Sequence, residues 1–76
     1  MITVKLFGLL RIESGIKERQ LEATSVKEVL SALENAGIDK KALTGCVILV
    51  DGESANKRTK LHDGNTVVLM PPVAGG

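Results

Sequence analysis

Ser25 is followed three residues later by Glu28, the spacing at which a serine accepts from one helical N–H while the glutamate reaches back to another. Val26, Val29, Leu30 and Leu33 then recur at helical spacing, joined by Ala36, while Lys27, Glu28, Ser31, Glu34 and Asn35 take the outer side. Gly37 supplies a left-handed stop, and Ile38 just beyond it can fold back onto Leu33. The pattern predicts one amphipathic helix over about 26–36, carrying a single apolar stripe. In a chain of 76 residues there is room for one small core, so that stripe must be covered by the segments on either side.

Those segments read as strands. Ile2, Val4 and Leu6 alternate with Thr3, Lys5 and Phe7, which predicts a strand with one buried side running to about Leu10 or Arg11. Gly8 inside it marks a bulge, a close backbone approach or a merely tolerated glycine. Ser14-Gly15 signals a turn, and 19–23 reads as a second strand closing a hairpin. After a polar connection over 39–45, with a short helical turn at 40–43, Cys46 to Val50 is an apolar run that ends at the turn Asp51-Gly52. Residues 53–61 read as a polar loop or short edge strand. Asp63-Gly64 then precedes the last strand, 66–70, which Pro71-Pro72 ends because proline cannot donate to a ladder. A right-handed crossover through the helix favours the last strand beside the first, in the middle of the sheet. The fold class expected is α+β: a mixed sheet of four to five strands with one main helix on one face.

Composition removes several functions. Apolar residues make up 43% and charged residues 25%, the makeup of an ordered globular domain. A net charge of +1 and a single aromatic residue, Phe7, leave neither the basic footprint nor the stacking surfaces of a nucleic-acid module. One cysteine, Cys46, and one histidine, His62, supply neither an internal disulfide nor a zinc cage, and no metal is expected. No apolar run approaches the ~20 residues of a membrane span, and no signal-peptide pattern opens the chain, so a cytoplasmic protein without a membrane partner is expected.

The carboxyl end is the unusual feature. At ordinary glycine usage, two glycines in the last two positions arise by chance in roughly 1 in 200 chains. A bare Gly-Gly end would read as fray. Here a stiff Pro71-Pro72 step follows a buried strand and throws the end outward as an extended arm. Without a Cβ on Gly75 or Gly76, its tip can enter a slot too narrow for any side chain. That tip is a carboxylate, a poor electrophile at pH 7, so chemistry there needs another enzyme to attach a leaving group such as AMP.

The run from His62 to Gly76, with its Asp-Gly turn, strand, Pro-Pro-Val, small residue and Gly-Gly, closely resembles the small subunit of molybdopterin synthase, the MoaD family. The start is similar too, with Phe7 and, four residues later, Arg11; the chain departs from that family where Ile12 intervenes before Glu13. The resemblance covers nearly the whole chain. It implies a β-grasp, ubiquitin-like domain over 1–70 and a flexible tail over 71–76. It implies sulfur carriage, in which an activating enzyme of the ubiquitin-activating type uses ATP to adenylate Gly76 and a persulfide donor converts it to a thiocarboxylate. The large synthase subunit would then accept the tail and pass the sulfur to a cyclic pyranopterin precursor. On this view the chain binds no cofactor and is no enzyme alone: a monomer by itself, it is a co-substrate and subunit of a heterotetrameric synthase. Gly76 carries the reactive group, Gly75 keeps the tail thin, and Ala74, Val73, Pro72 and Pro71 serve recognition. A carrier for thiamine or cysteine synthesis, a protein modifier joined to lysines through Gly76, and an interaction domain with an inert tail are the rivals.

Other residues carry weaker signals. Phe7, Leu69 and Met70 either dock a partner or complete the core. Arg11 meets a partner carboxylate or forms a surface ion pair. Lys57-Arg58-Thr59-Lys60 reads as a solvated loop, His62 as exposed, and Cys46 as a small buried hydrophobe.

Overall fold

The computed structural model describes residues 1–72. Strand β1 (Ile2–Leu6) buries Ile2, Val4 and Leu6 to 1% exposure or less, as its alternation predicts. It is shorter than expected. At Gly8 the backbone takes φ +60, which reverses the chain and starts a short helix, α1 (Gly8–Ser14), in place of the continued strand. Gly15, at φ +73, ends α1 with its N–H on the Arg11 carbonyl, so the Ser14-Gly15 signal is a helix cap. Only Leu10 of α1 is buried; a strand continued through 9–11 would have had no second apolar residue to place inward.

Strand β2 (Glu18–Leu21) is an antiparallel edge beside β1, with Leu21 opposite Ile2. The main helix, α2 (Val26–Asn35), buries Val26, Val29 and Leu33. Its caps follow from the residues predicted, with one slip. Ser25 Oγ accepts from Glu28 N–H at 3.4 Å, but Glu28 Oε1 accepts from the N–H and hydroxyl of Thr24, one residue further out than a capping box would place it. At the other end Ile38 N–H donates to Leu33 O at 3.1 Å and Gly37 N–H to Glu34 O at 3.0 Å, a complete Schellman pair. Ala36 lies past the helix and is exposed rather than part of the stripe.

Helix α3 (Lys40–Thr44), capped by Asp39, leads into β3 (Val47–Val50), followed by the two-residue β4 (Glu53–Ser54) and then β5 (Thr66–Met70). The five strands lie in the order β2-β1-β5-β3-β4, with β5 parallel to β1 and antiparallel to β3. The last strand is therefore central, beside the first, as the crossover argument requires. The core is the single layer between the sheet and α2, with Leu10, Ile38, Leu43 and Leu61 closing its margins. The loop after β4 also closes α2: the carbonyls of Thr59 and Lys57 accept from Val26 N–H and Lys27 N–H, satisfying two donors that every helix start leaves free.

Candidate functional site

The carboxyl arm grows from the centre of the sheet. The parallel ladder between β1 and β5 reaches its last rung where Phe7 N–H donates to Leu69 O at 3.0 Å. Beyond it Pro71 has no N–H to offer, so pairing stops, and the two chains part. One turns at Gly8 into α1 and the other leaves through Pro71, half-buried, and Pro72, exposed. They part in contact. A Cβ placed on Gly8 would lie 2.8 Å from Pro71 Cγ and 3.0 Å from its Cδ, so the proline ring rests on a bare Cα. The close approach named as one reading of Gly8 is the one realised. The residues expected to do chemistry or guide it, Val73, Ala74, Gly75 and Gly76, lie outside the described residues.

Around this root the sheet face turned away from α2 is apolar at one end. Phe7 is 42% exposed and Val47 38%; Met70 pairs with Val47 and Val68 with Leu49, and Met70, Val68 and Leu49 are half-buried. Leu69 does not belong to this surface. It is 0% exposed, paired on either side with Leu6 and Ile48, and points into the core under α2. The reason is the strand period: Val67 and Leu69 face the helix, so Thr66, Val68 and Met70 must face away.

Two exposed apolar residues were missed by the sequence reading. Leu9 and Ile12 are 62% and 74% exposed on the outer side of α1. Their i, i+3 spacing is the signal that separates a helix here from a strand. Arg11, between them, is exposed and has no carboxylate partner among the described residues. The basic residues Lys57, Arg58 and Lys60 are exposed, as is His62.

Electrostatics elsewhere are mild. Hydrogen bonds from Thr24, first from its N–H and then its hydroxyl, hold the Glu28 carboxyl below its ordinary range. Burial pushes the Cys46 thiol up; its S–H lies 3.0 Å from the Leu43 carbonyl. Cys46 is half-buried, on the wall of an open groove of about 430 Å³ with Leu30, Leu43, Ile48 and the rim lysines Lys40 and Lys57. A thiol held protonated makes a weak nucleophile. Among the described residues no three metal-ligating side chains gather, and no helix is long and apolar enough to cross a membrane.

Solved structures resemble this one over essentially full length. Subunit 1 in the molybdopterin-converting factor complex of Helicobacter pylori 26695 is 29% identical, with a TM-score of 0.76 over 99% of this chain and 97% of that one. The small archaeal modifier protein 1 of Methanosarcina acetivorans is 28% identical, with a TM-score of 0.80 over 99% and 95%. A chain of the Amycolatopsis orientalis BexX/CysO complex is 25% identical, with a TM-score of 0.76 over 100% of both chains. No curated protein sequence matches significantly. The ThiS family matches residues 4–76, from the first strand through both terminal glycines. With that match spanning the β-grasp sheet, its covering helix and the Gly-Gly arm, the chain belongs to the ThiS family, on the ubiquitin-like fold of its sulfur carriers.

Proposed function

We propose that this protein is a sulfur carrier acting as the small subunit of a molybdopterin synthase. The observation that carries the reading is the arm itself: the family match runs unbroken through Gly76, and Pro71-Pro72 lead that end away from the central strand. Pro-Pro-Val before the small residue and Gly-Gly, together with the similarity to subunit 1 of the Helicobacter pylori molybdopterin-converting factor, favours the pterin branch.

The chemistry follows from the carboxyl group. A Gly76 carboxylate oxygen attacks the α-phosphorus of ATP on an activating enzyme and pyrophosphate leaves. A persulfide sulfur from a donor then attacks the acyl-adenylate, AMP leaves, and reduction of the resulting acyl disulfide by a thiol frees the thiocarboxylate. The large subunit takes the arm into its own site, where the sulfur is transferred to a cyclic pyranopterin. The chain contributes the acyl group and a docking surface and is no enzyme alone; ATP belongs to the activating enzyme. The docking surface is the apolar strip of Phe7, Val47, Val68 and Met70, and Arg11, exposed on α1, is offered to a partner carboxylate. Alone it is a monomer, and two copies join two large subunits in the synthase.

Similarity to an archaeal modifier protein supports a second reading, in which the same adenylate is passed to lysines of target proteins. Intact mass after incubation with ATP, the activating enzyme and a sulfur donor tests the first: replacement of one oxygen by sulfur is expected, followed by loss of that sulfur when the large subunit and pterin precursor are added. Conjugates that survive boiling and reductant, with no sulfur reaching the pterin, would overturn it in favour of the modifier.

A further inference from the structure

Among the described residues five glycines hold positive φ: Gly8, Gly15, Gly37, Gly52 and Gly64. At four of them an added Cβ would meet nothing within 4 Å, so glycine is needed there for the turn of the backbone alone. Gly8 is different. It combines φ +60 with a seat in which an added Cβ would come within 2.8 Å and 3.0 Å of ring atoms of Pro71. Those atoms cannot swing aside as the end of a long side chain would, because the ring closes on the backbone nitrogen. A change of ring pucker can ease the contact at Cγ, but Cδ is bonded to the backbone nitrogen and moves only with the main chain. The α1 side is held by the Phe7–Leu69 rung and by Leu10, which is 4% exposed in the core. The arm side is held less: Pro71 makes no ladder bond and Pro72 is exposed.

The geometry points to Gly8 as a positioning residue for the terminal acyl group: its bare Cα seats the Pro71 ring and so sets the direction in which the arm leaves the sheet. Ordinary contact begins at 3.4 Å, so a methyl group at Gly8 displaces Pro71 by up to about 0.6 Å. Across the ~3.8 Å step from the preceding Cα this is a turn of roughly 10°. For a tail held extended in an activating enzyme's channel, about 16 Å over five residue steps, it moves the tip by up to roughly 3 Å. Misplacing a reacting atom by about 1 Å can cost ~100-fold, and since an enzyme groove re-aims part of the swing, a loss of about tenfold is expected. The kinetic readout rests on the reading of Gly76 as the group that is adenylated; the seat does not.

The test compares the parent with Gly8→Ala, Gly15→Ala, Pro71→Ala and the double variant Gly8→Ala/Pro71→Ala. Each is assayed for pyrophosphate release with ATP and the activating enzyme, and for the amide shifts of residues 73–76 by NMR. In the parent, nuclear Overhauser contacts between the Gly8 α-protons and the Pro71 ring are expected. Gly8→Ala lowers kcat/KM about tenfold and moves the amide signals of 73–76. Gly15→Ala imposes similar backbone strain at an open position and leaves both at parent values. Made in the Pro71→Ala background, Gly8→Ala costs less than twofold. Parent-like kcat/KM in Gly8→Ala, an equal loss in both Pro71 backgrounds, or unmoved amides would overturn the proposal. Should Gly8→Ala fail to fold, Pro71→Ala reads the seat from the other side: its arm amides move if the ring is the seat, and their staying put refutes it. A parent that is never adenylated would remove the proposed function instead, and the NMR comparison would still decide the seat.

Discussion

Leu69→Ala and Met70→Glu alter neighbouring residues on one strand, yet the structure assigns them opposite outcomes. Leu69 is 0% exposed between Leu6 and Ile48, so truncation removes apolar contact worth about 2.4 kcal/mol for three methylene equivalents. If the neighbours cannot collapse into the space, the cost rises toward ~5 kcal/mol. A domain of 76 residues has on the order of 4–11 kcal/mol in all, so Leu69→Ala removes about a fifth of it at the least. At about 4–8 °C per kcal/mol the melting temperature falls by roughly 10–40 °C. Met70 lies half-buried on the opposite face beside Val47, which is 38% exposed. A carboxylate there reaches water, and less than ~1 kcal/mol of stability is expected to go. Its cost appears on binding, where a charge desolvated against an apolar partner weakens capture at least ~10-fold. Urea unfolding followed by circular dichroism, with the slope checked for constancy, gives the first quantity, and titration with the large synthase subunit gives the second. A Met70→Glu protein that loses several kcal/mol, or that binds as tightly as the parent, would refute the assignment of faces to functions.

Three further outcomes are expected. Adding one residue after Gly76 moves the reacting carbon by roughly 3.3–3.6 Å and should abolish both adenylation and sulfur transfer while leaving the melting curve unchanged; parent-like rates would sink the carrier reading. Glu28 is held below its unfolded pKa by Thr24, so its charge stabilises the fold above about pH 4.3 and that contribution fades as pH falls through the folded value. Glu28→Gln should therefore lower the urea midpoint at pH 7, with a gap from the parent that closes in acid. Cys46 is shifted the other way by burial: the folded state favours the neutral thiol, and this contribution is complete below about pH 8.5 and lost as pH rises through the folded value. Alkylation by iodoacetamide at pH 7.5 should be several-fold slower than for an unfolded control, and a Cys46→Ser protein should lack the alkaline part of the decline in stability.

Much of this was legible one residue at a time, because the signals were local. The helix start at Ser25, the Schellman stop at Gly37 and Ile38, and the strand alternation at Ile2, Val4 and Leu6 each depend on residues within a few positions of one another. Capping and side-chain period act over that range, and the structure reproduces them to within a residue or so. The end of the last strand at Pro71 was legible for the same reason: a residue without an N–H cannot continue a ladder whatever its neighbours. Even the central place of the last strand followed from a rule of handedness that needs only element order.

Long-range neighbours decided the rest. Leu9 and Leu10 continue an apolar run, and only the reversal at Gly8, where the Pro71 ring needs a surface without a Cβ, turns that run into α1. Whether Leu69 or Met70 met solvent depended on which side α2 covered, since alternation assigns faces in pairs without saying which is buried. Leu61, a lone apolar residue in a polar stretch, is 5% exposed because its loop folds over the start of α2 and caps it. The chain therefore carries the signals for its elements in local chemistry. Which faces those elements bury is set by where α2 packs, and on what Pro71 rests as it leaves the sheet is set by Gly8, more than 60 positions away, meeting it in space. No local preference encodes such a meeting, because its energy exists only once the sheet has formed.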